Sequence, residues 1–481
     1  MMQLEFTAGA VPMLVVTADG FRPTSVALQG RRAIAVGSVS ATGDTWRAKV
    51  PLHVSRWGGP VLPLPSGRYE LMLDGAPTEI ATSHPRVALG EMDAEVVDGR
   101  VSVSAPADDA PLPPRGILDR VLGPRGFGPL RDTVFFESFY GRNASCNPRA
   151  IDAELARLAP DVTRYWSVVD HSVAVPDGAV PVIEGSAAWH RARSTSRLLV
   201  VNDWLRHGFV RRRGQRVLQT WHGTPLKRLA LHRAGFDPRR SVAIVRESLR
   251  WSVLLAQNPF AAGILARAYA FVGRPVWVEG YPRNDVLIDG DGRAVRDALG
   301  IDHEQRVLLY APTWRDDREQ MVDFLDVERL ARDVDAVVLV RGHSRTLIPG
   351  TDARGARVID VTGYPDIAEL LLVADGLITD YSSVMFDYSA TGKPIYVFAP
   401  DLEHYRGELR GFYFDLAERV PGPMTATHDE LTAALTDAAV PTRFAERAAA
   451  WRARFNARDD GRAAERVVAR LLDQGMIRSG R

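Results

Sequence analysis

"ITDYSSVMFDYSATGKP", residues 378–394, changes character within a few residues. An apolar run stops at Asp380, Ser382 and Ser383 follow, and a second apolar run begins at Val384 with helical character. A buried strand handing over to a helix through a polar turn is the repeating unit of an open α/β layer. Free backbone N–H groups at such a helix start, with two hydroxyls, suit an anion such as a diphosphate. A plain serine N-cap is the simpler account of the same letters. Its place at a strand end, among others like it, favours the anion seat.

The same alternation extends in both directions. "RVLLYAPTW", "AVVLVRGHS" and "ARVIDVT" precede it as strands, "KPIYVFAP" follows, and "PDIAELLLVA" reads as a helix between them. An earlier set starts at Asp132: "DTVFFESF", the amphipathic helix "NPRAIDAELARLAP", then "RLLVVND" and "RVLQTWHG". Two α/β halves joined near residue 285 imply a cleft, with ligands at the C-terminal ends of the strands. "RFAERAAAWRARF" and "GRAAERVVARLLDQG" are amphipathic tail helices. Residues 1–105 instead carry short strands such as "PMLVVTA", "RYELMLDG" and "RVSVSAP" between Gly, Pro and Asp turns, which predicts a small β-sandwich. The Pro- and Asp-rich "SAPADDAPLPPRG", 104–116, reads as a linker. The expected division is 1–105 accessory, 106–130 linker, 131–285 first α/β half and 286–481 second α/β half with the closing helices. A core freed of 1–105 is expected to fold.

Four strand ends carry polar turns. "VLQTWHGTPLKRLALHR", 217–233, brings His222, Gly223, Thr224 and Lys227 into one turn, joining a titratable base, a glycine that permits close backbone approach, and a positive charge. The second half adds Thr313-Trp314-Arg315, Arg341-Gly342-His343-Ser344 and Thr379 to Ser383. Arg341 beside His343 suits a phosphate contact.

Composition sets the outer limits. At 481 residues the chain exceeds one hydrophobic core, so two or three domains are expected. A net charge of +1 excludes a globally basic nucleic-acid binder. It allows a local patch: no acidic residue lies between Asp203 and Asp237, while Arg206, Arg211, Arg212, Arg213 and Arg216 do. Cys146 is the sole cysteine, so no intrachain disulfide forms and a reducing compartment is expected. "MMQLEFTAGA" has no signal-peptide character, and no run of about 18 apolar residues occurs. "GTPLK" and "TGKP" lack P-loop spacing. "VLIDGDGR", 286–293, imitates a D-x-D metal motif but reads better as a turn before a helix.

"FESFYGRNASCNPRAI", "QTWHGTPLKRL", "GYPRNDVL", "YAPTWRDD", "DIAELLLVADGLITDYSSVMFDY" and "DGRAAERV" together resemble the CDP-glycerol glycerophosphotransferases of teichoic acid synthesis, over about residues 130–475 and in the family's order. The resemblance implies a GT-B fold, two Rossmann-like domains with CDP-glycerol mainly on the second, preceded here by the β-domain. It implies no metal and no cofactor beyond the donor substrate. It implies a polyprenyl-diphosphate-linked acceptor, an anionic membrane surface as partner, and a cytoplasmic protein peripheral on the inner face of the cell membrane. His222 matches the histidine taken as general base. His343 matches the histidine of an R-x-H-P motif that contacts donor phosphate, with Ser344 where that motif has proline. Ser382 and Ser383 match diphosphate-binding hydroxyls. Gly223, Thr224, Lys227, Thr313, Arg315, Arg341, Asp380 and Asp387 complete the expected substrate contacts. The implied reaction moves glycerol phosphate from CDP-glycerol to an acceptor hydroxyl and releases CMP. Competing readings are the same fold using CDP-ribitol, a capsule-type polymerase, and a non-catalytic polymer- or membrane-binding protein.

Overall fold

The computed structural model describes residues 2–111, 128–206, 208–313, 325–342, 357–402 and 411–478. Arg315, His343 and Ser344, and most of the linker, lie outside the described residues.

The N-terminal region is a sandwich of a four-stranded and a seven-stranded antiparallel sheet. Alternation explains how each sheet acquires two faces. In Thr45–Pro51, Trp46, Ala48 and Val50 are buried while Thr45, Arg47 and Lys49 face solvent. The buried faces of both sheets meet in one apolar core, where Leu14, Val16 and Trp46 pack with Leu28, Leu71 and Val101. A separate hairpin, His53–Ser55 with Val61–Pro63, projects from the sandwich. Gly59 N donates to Arg56 O at 2.9 Å across its tip, and Trp57 and Gly58 both have positive φ, the geometry of a tight hairpin turn.

Two parallel sheets follow. In space, the first runs Val180–Ile183, Arg164–Val168, Arg131–Glu137, Ser196–Val201, Arg216–Gln219, Val253–Ala256 and Val276–Val278. The second runs Val358–Asp360, Val337–Val340, Val307–Ala311, Gly376–Thr379, Ile395–Phe398 and Met424–Thr425. Helices on both faces make these strands continuously apolar rather than alternating, as in the fully buried Val253–Ala256 and Ile395–Phe398. Both sheets reverse direction beside their first strand, the doubly wound pattern of a dinucleotide-type fold. The chain is therefore α/β with two Rossmann-like halves behind an all-β region.

Two features depart from the division expected from sequence. Helix Ala463–Asp473, read with the second half, returns to the first: Val467, Val468 and Leu471 pack with Val134, Ile151 and Leu155. Asp285, at the join, accepts from Ala463 N and Ala464 N at 2.9 and 2.8 Å and so caps the returning helix. The sandwich, in turn, is not a detached appendage. Asp170 of the first half is buried beneath it, accepting from Arg32 Nη2 at 2.8 Å and Ser66 N at 2.9 Å.

Candidate active site

The first half delivers its side of the cleft from two neighbouring strand ends. Ser196–Val201 runs into Asn202 and Asp203, and Arg216–Gln219 runs into the turn Thr220–Lys227. That turn is tightly specified. Trp221 sits at φ 54° and its N–H donates to Gln219 Oε1 at 2.9 Å, while Asn147 Nδ2 donates to its carbonyl at 3.2 Å. The Trp221 ring then lies nearly parallel to the His222 imidazole, centroids 4.9 Å apart, with Phe139 tilted against it at 5.6 Å.

His222 Nδ1 lies 2.7 Å from Asn202 O. A carbonyl can only accept, so Nδ1 carries the proton and Nε2 keeps its lone pair. Burial pushes the imidazole below its ordinary pKa of 6.5, against the opposing pull of Asp203 and the Asn202 carbonyl. The neutral base thus predominates near neutral pH, and a carboxylate stands by to stabilise the imidazolium once formed.

Gly223 brings the halves together. A Cβ on it would lie 2.7 Å from Ser383 Oγ, so a side chain there would wedge the two strand ends apart. Thr224, expected to meet substrate, has its hydroxyl engaged internally, donating to Gln257 Oε1 at 2.6 Å and accepting from Asn258 Nδ2 at 3.0 Å. Lys227 forms an antiparallel backbone bridge with Phe412 of the second half. Tyr413 N donates to Leu226 O at 3.0 Å and Arg228 N to Gly411 O at 3.2 Å.

In the second half, Thr313 N donates to both Asp380 carboxylate oxygens, at 2.9 and 3.0 Å, which ties two strand ends together. Arg341 Nη1 donates to Val361 O and Tyr364 O at 3.2 and 2.9 Å. Burial lowers the Arg341 pKa to about 10, well above neutrality, so it is charged. Ser382 and Ser383 lead into Val384–Tyr388, a helix of only five residues. Its dipole is small, so any anion here relies on local N–H groups, hydroxyls and Arg341 more than on helix length.

His222, Gly223, Thr224, Lys227, Thr313, Arg341, Ser382, Ser383 and Asp387 all border one cleft of about 600 Å³ between the halves, a size suited to a nucleotide-scale ligand. Asp380 stands behind Thr313. Sequence reasoning missed Arg283, the arginine of "GYPRNDVL". Its Nη2 pairs with Asp387 Oδ2 at 2.6 Å, its Nη1 donates to Cys146 Sγ at 3.1 Å, and Asn284 Nδ2 donates to Asp387 Oδ1 at 3.1 Å. Burial opposes the charged guanidinium, yet the Asp387 carboxylate raises its pKa overall. This pair forms the floor of the cleft and joins its walls. The aspartates of "DGD" are elsewhere, with Asp291 paired to Arg293 Nε at 2.7 Å. Among the described residues no group of three His, Cys, Asp or Glu side chains is placed to hold a metal.

The arrangement pairs a neutral base on one wall with hydroxyls and a cation on the other. It can deprotonate an attacking hydroxyl while an anionic group rests opposite.

Comparison with known proteins bears on the same region. The family described as CDP-Glycerol:Poly(glycerophosphate) glycerophosphotransferase matches residues 128–473. A teichoic acid poly(glycerol phosphate) polymerase of Bacillus subtilis (strain 168) is 35% identical over 366 residues, 70% of this chain. The chain spans 48%, about half, of that relative's length. A teichoic acid glycerol-phosphate transferase of Staphylococcus aureus (strain NCTC 8325 / PS 47) is 33% identical over 370 residues, covering 72% of this chain and 94% of the relative. Among solved structures, the wall teichoic acid polymerase TagF soaked with CDPG superposes with a TM-score of 0.68 at 31% identity, covering 72% of this chain and 90% of that one.

Proposed function

The chain belongs to the CDP-glycerol:poly(glycerophosphate) glycerophosphotransferase family, and on that premise we propose that it transfers glycerol phosphate from CDP-glycerol to a hydroxyl of a lipid-linked, teichoic-acid-type acceptor. The acceptor oxygen attacks the β-phosphorus, a new P–O bond forms, and the bond to the bridging oxygen breaks to release CMP. His222 Nε2 takes the hydroxyl proton. Arg341, Ser382 and Ser383 hold the charge on the transferred phosphate and leaving group. The observation that carries this reading is the meeting of His222–Gly223 with Ser383, which sets a base with a free lone pair beside the hydroxyl wall. Incubation of purified protein with CDP-glycerol, CDP-ribitol and several nucleotide sugars, followed by nucleotide release, tests it. CMP release from CDP-glycerol above the others is expected; preferential release from a nucleotide sugar would refute it.

Activity is expected to persist in EDTA, because the proposed charge stabilisers are all protein groups. Loss of turnover on chelation, restored by Mg²⁺ or Mn²⁺, would show otherwise.

A lipid-linked acceptor needs the cleft near a bilayer, and no helix among the described residues is long and apolar enough to cross one. The support for surface docking is that apolar and basic side chains are both exposed on the first half. Val210, Phe236, Val242, Leu249 and Val272 are exposed there. Arg211, Arg213, Arg216, Arg239 and Arg246 accompany them. Part of the basic run is engaged by the protein itself: Arg206 pairs with Glu184, Arg212 Nη1 donates to Ser194 O at 2.9 Å, and the exposed Arg211 donates through Nη1 to Ser252 Oγ at 2.9 Å. Each exposed arginine near an anionic surface contributes on the order of 1 kcal/mol. Co-sedimentation with anionic but not neutral vesicles is expected, weakened by salt and by replacing Arg211, Arg213 and Arg216 with Ser. Equal binding to both vesicle types would refute it.

A further inference from the structure

The tip of the His53–Ser55/Val61–Pro63 hairpin touches both halves of the core. Arg56 Nη2 donates to Ser172 O of the first half at 2.7 Å. One residue on, the Trp57 ring packs on Tyr364 of the second half, with centroids 5.6 Å and planes 59° apart. Trp57 Cζ2 is 3.7 Å from where a side chain on Gly363 would begin, and a Cβ on Gly58 would lie 2.8 Å from Ala298 Cβ. Trp57 belongs to the apolar cluster of the second half rather than to that of its own domain. Its φ of 56° is one that bulky L side chains rarely adopt, and such strain persists only where surroundings over-determine it.

The far side of this contact is the cleft. Tyr364 and Val361 offer their carbonyls to Arg341 Nη1, and Gly342 N donates to Thr362 Oγ1 at 2.8 Å. Residues 361–364 are therefore held between Trp57 and Arg341. Just past the hairpin, Ser66 N donates to the buried Asp170 of the first half, which also accepts from Arg32 in another turn of the sandwich.

We propose that this hairpin is a strut that sets the spacing of the two halves and holds Arg341 where it meets the donor diphosphate, with Trp57 as the positioning residue. The donor half of this assignment rests on the transfer reaction proposed above.

Full-length Trp57→Ala and Trp57→Phe test it by two separable readouts. Hydrogen exchange needs no donor: the Gly342 and Tyr364 amides are expected to exchange about tenfold faster in Trp57→Ala and at the wild-type rate in Trp57→Phe. With CDP-glycerol, Trp57→Ala is expected to raise the donor KM about tenfold and to lower kcat as well, since Arg341 also meets the charge that develops during transfer. In an Arg341→Ala background the same substitution is expected to add nothing. Unchanged exchange at both amides, or an equal KM increase without Arg341, overturns the strut. If wild-type protein releases no CMP but exchange rises as expected, the transfer reaction falls and the strut stands. Should Trp57→Ala fail to fold, Gly58→Ala displaces the same tip against Ala298 and is read by the same exchange, with unchanged rates again overturning the proposal.

Discussion

His222→Ala is expected to lower turnover with CDP-glycerol by about a hundredfold or more, the scale for losing a positioned general base, while CDP binding stays near normal. The two effects separate because His222 stands on the first-half wall and the groups assigned to the donor stand on the second. The imidazole is set for this role by three contacts: Asn202 O on Nδ1, Trp221 stacked on its face, and Phe139 tilted against it. Since burial lowers its pKa, the working form is neutral, and activity should fall with acid only as pH drops through that lowered value, below 6.5. The limb should be missing from what residual activity His222→Ala retains. Steady-state rates from acid to neutral pH, beside CDP titration, check both statements. Near-normal turnover in the variant would remove His222 from the mechanism.

Arg283→Ala is expected to cost about 3–5 kcal/mol of stability, the penalty for breaking a buried ion pair from one side. Arg283 and Asp387 side chains are 6% and 4% exposed, so the carboxylate left behind stays largely desolvated. Removing both charges together should be far milder, since the pair's own desolvation is costly: Arg283→Met with Asp387→Leu should recover most of the loss. Chemical denaturation of the three proteins gives the comparison. Single and double variants of equal stability would show that the pair does not couple.

The doubly wound architecture was legible because parallel strands buried on both faces leave short runs such as "VVLV" and "LLVV", each ending in a polar turn. The candidate site was legible to the extent that it lies at those ends. What escaped depends on partners distant in sequence. Periodicity marks Arg283 as near a turn but cannot show that Asp387, on a helix of the other half, comes within 2.6 Å. Thr224 carries the letters of a ligand contact, but its hydroxyl is claimed by Gln257 and Asn258. The arginines from 206 to 216 read as one patch, yet the structure divides them between internal carbonyls, carboxylates and solvent. The Pro-rich stretch after residue 104 suggested a separable sandwich, and a turn such as Arg56-Trp57-Gly58 gave no sign that it would pack on both halves.

The return of helix Ala463–Asp473 to the first half has a consequence for biosynthesis. A nascent chain completes the first parallel sheet once Val278 has left the ribosome, but Val467, Val468 and Leu471, which cover part of that sheet's core, are translated much later. At about 5–20 residues per second the interval is roughly ten to forty seconds. During it the first half carries an open apolar face while the second half emerges and can bury its own. The half that is made first is therefore the last to be finished, and its open apolar face is prone to aggregation throughout that interval.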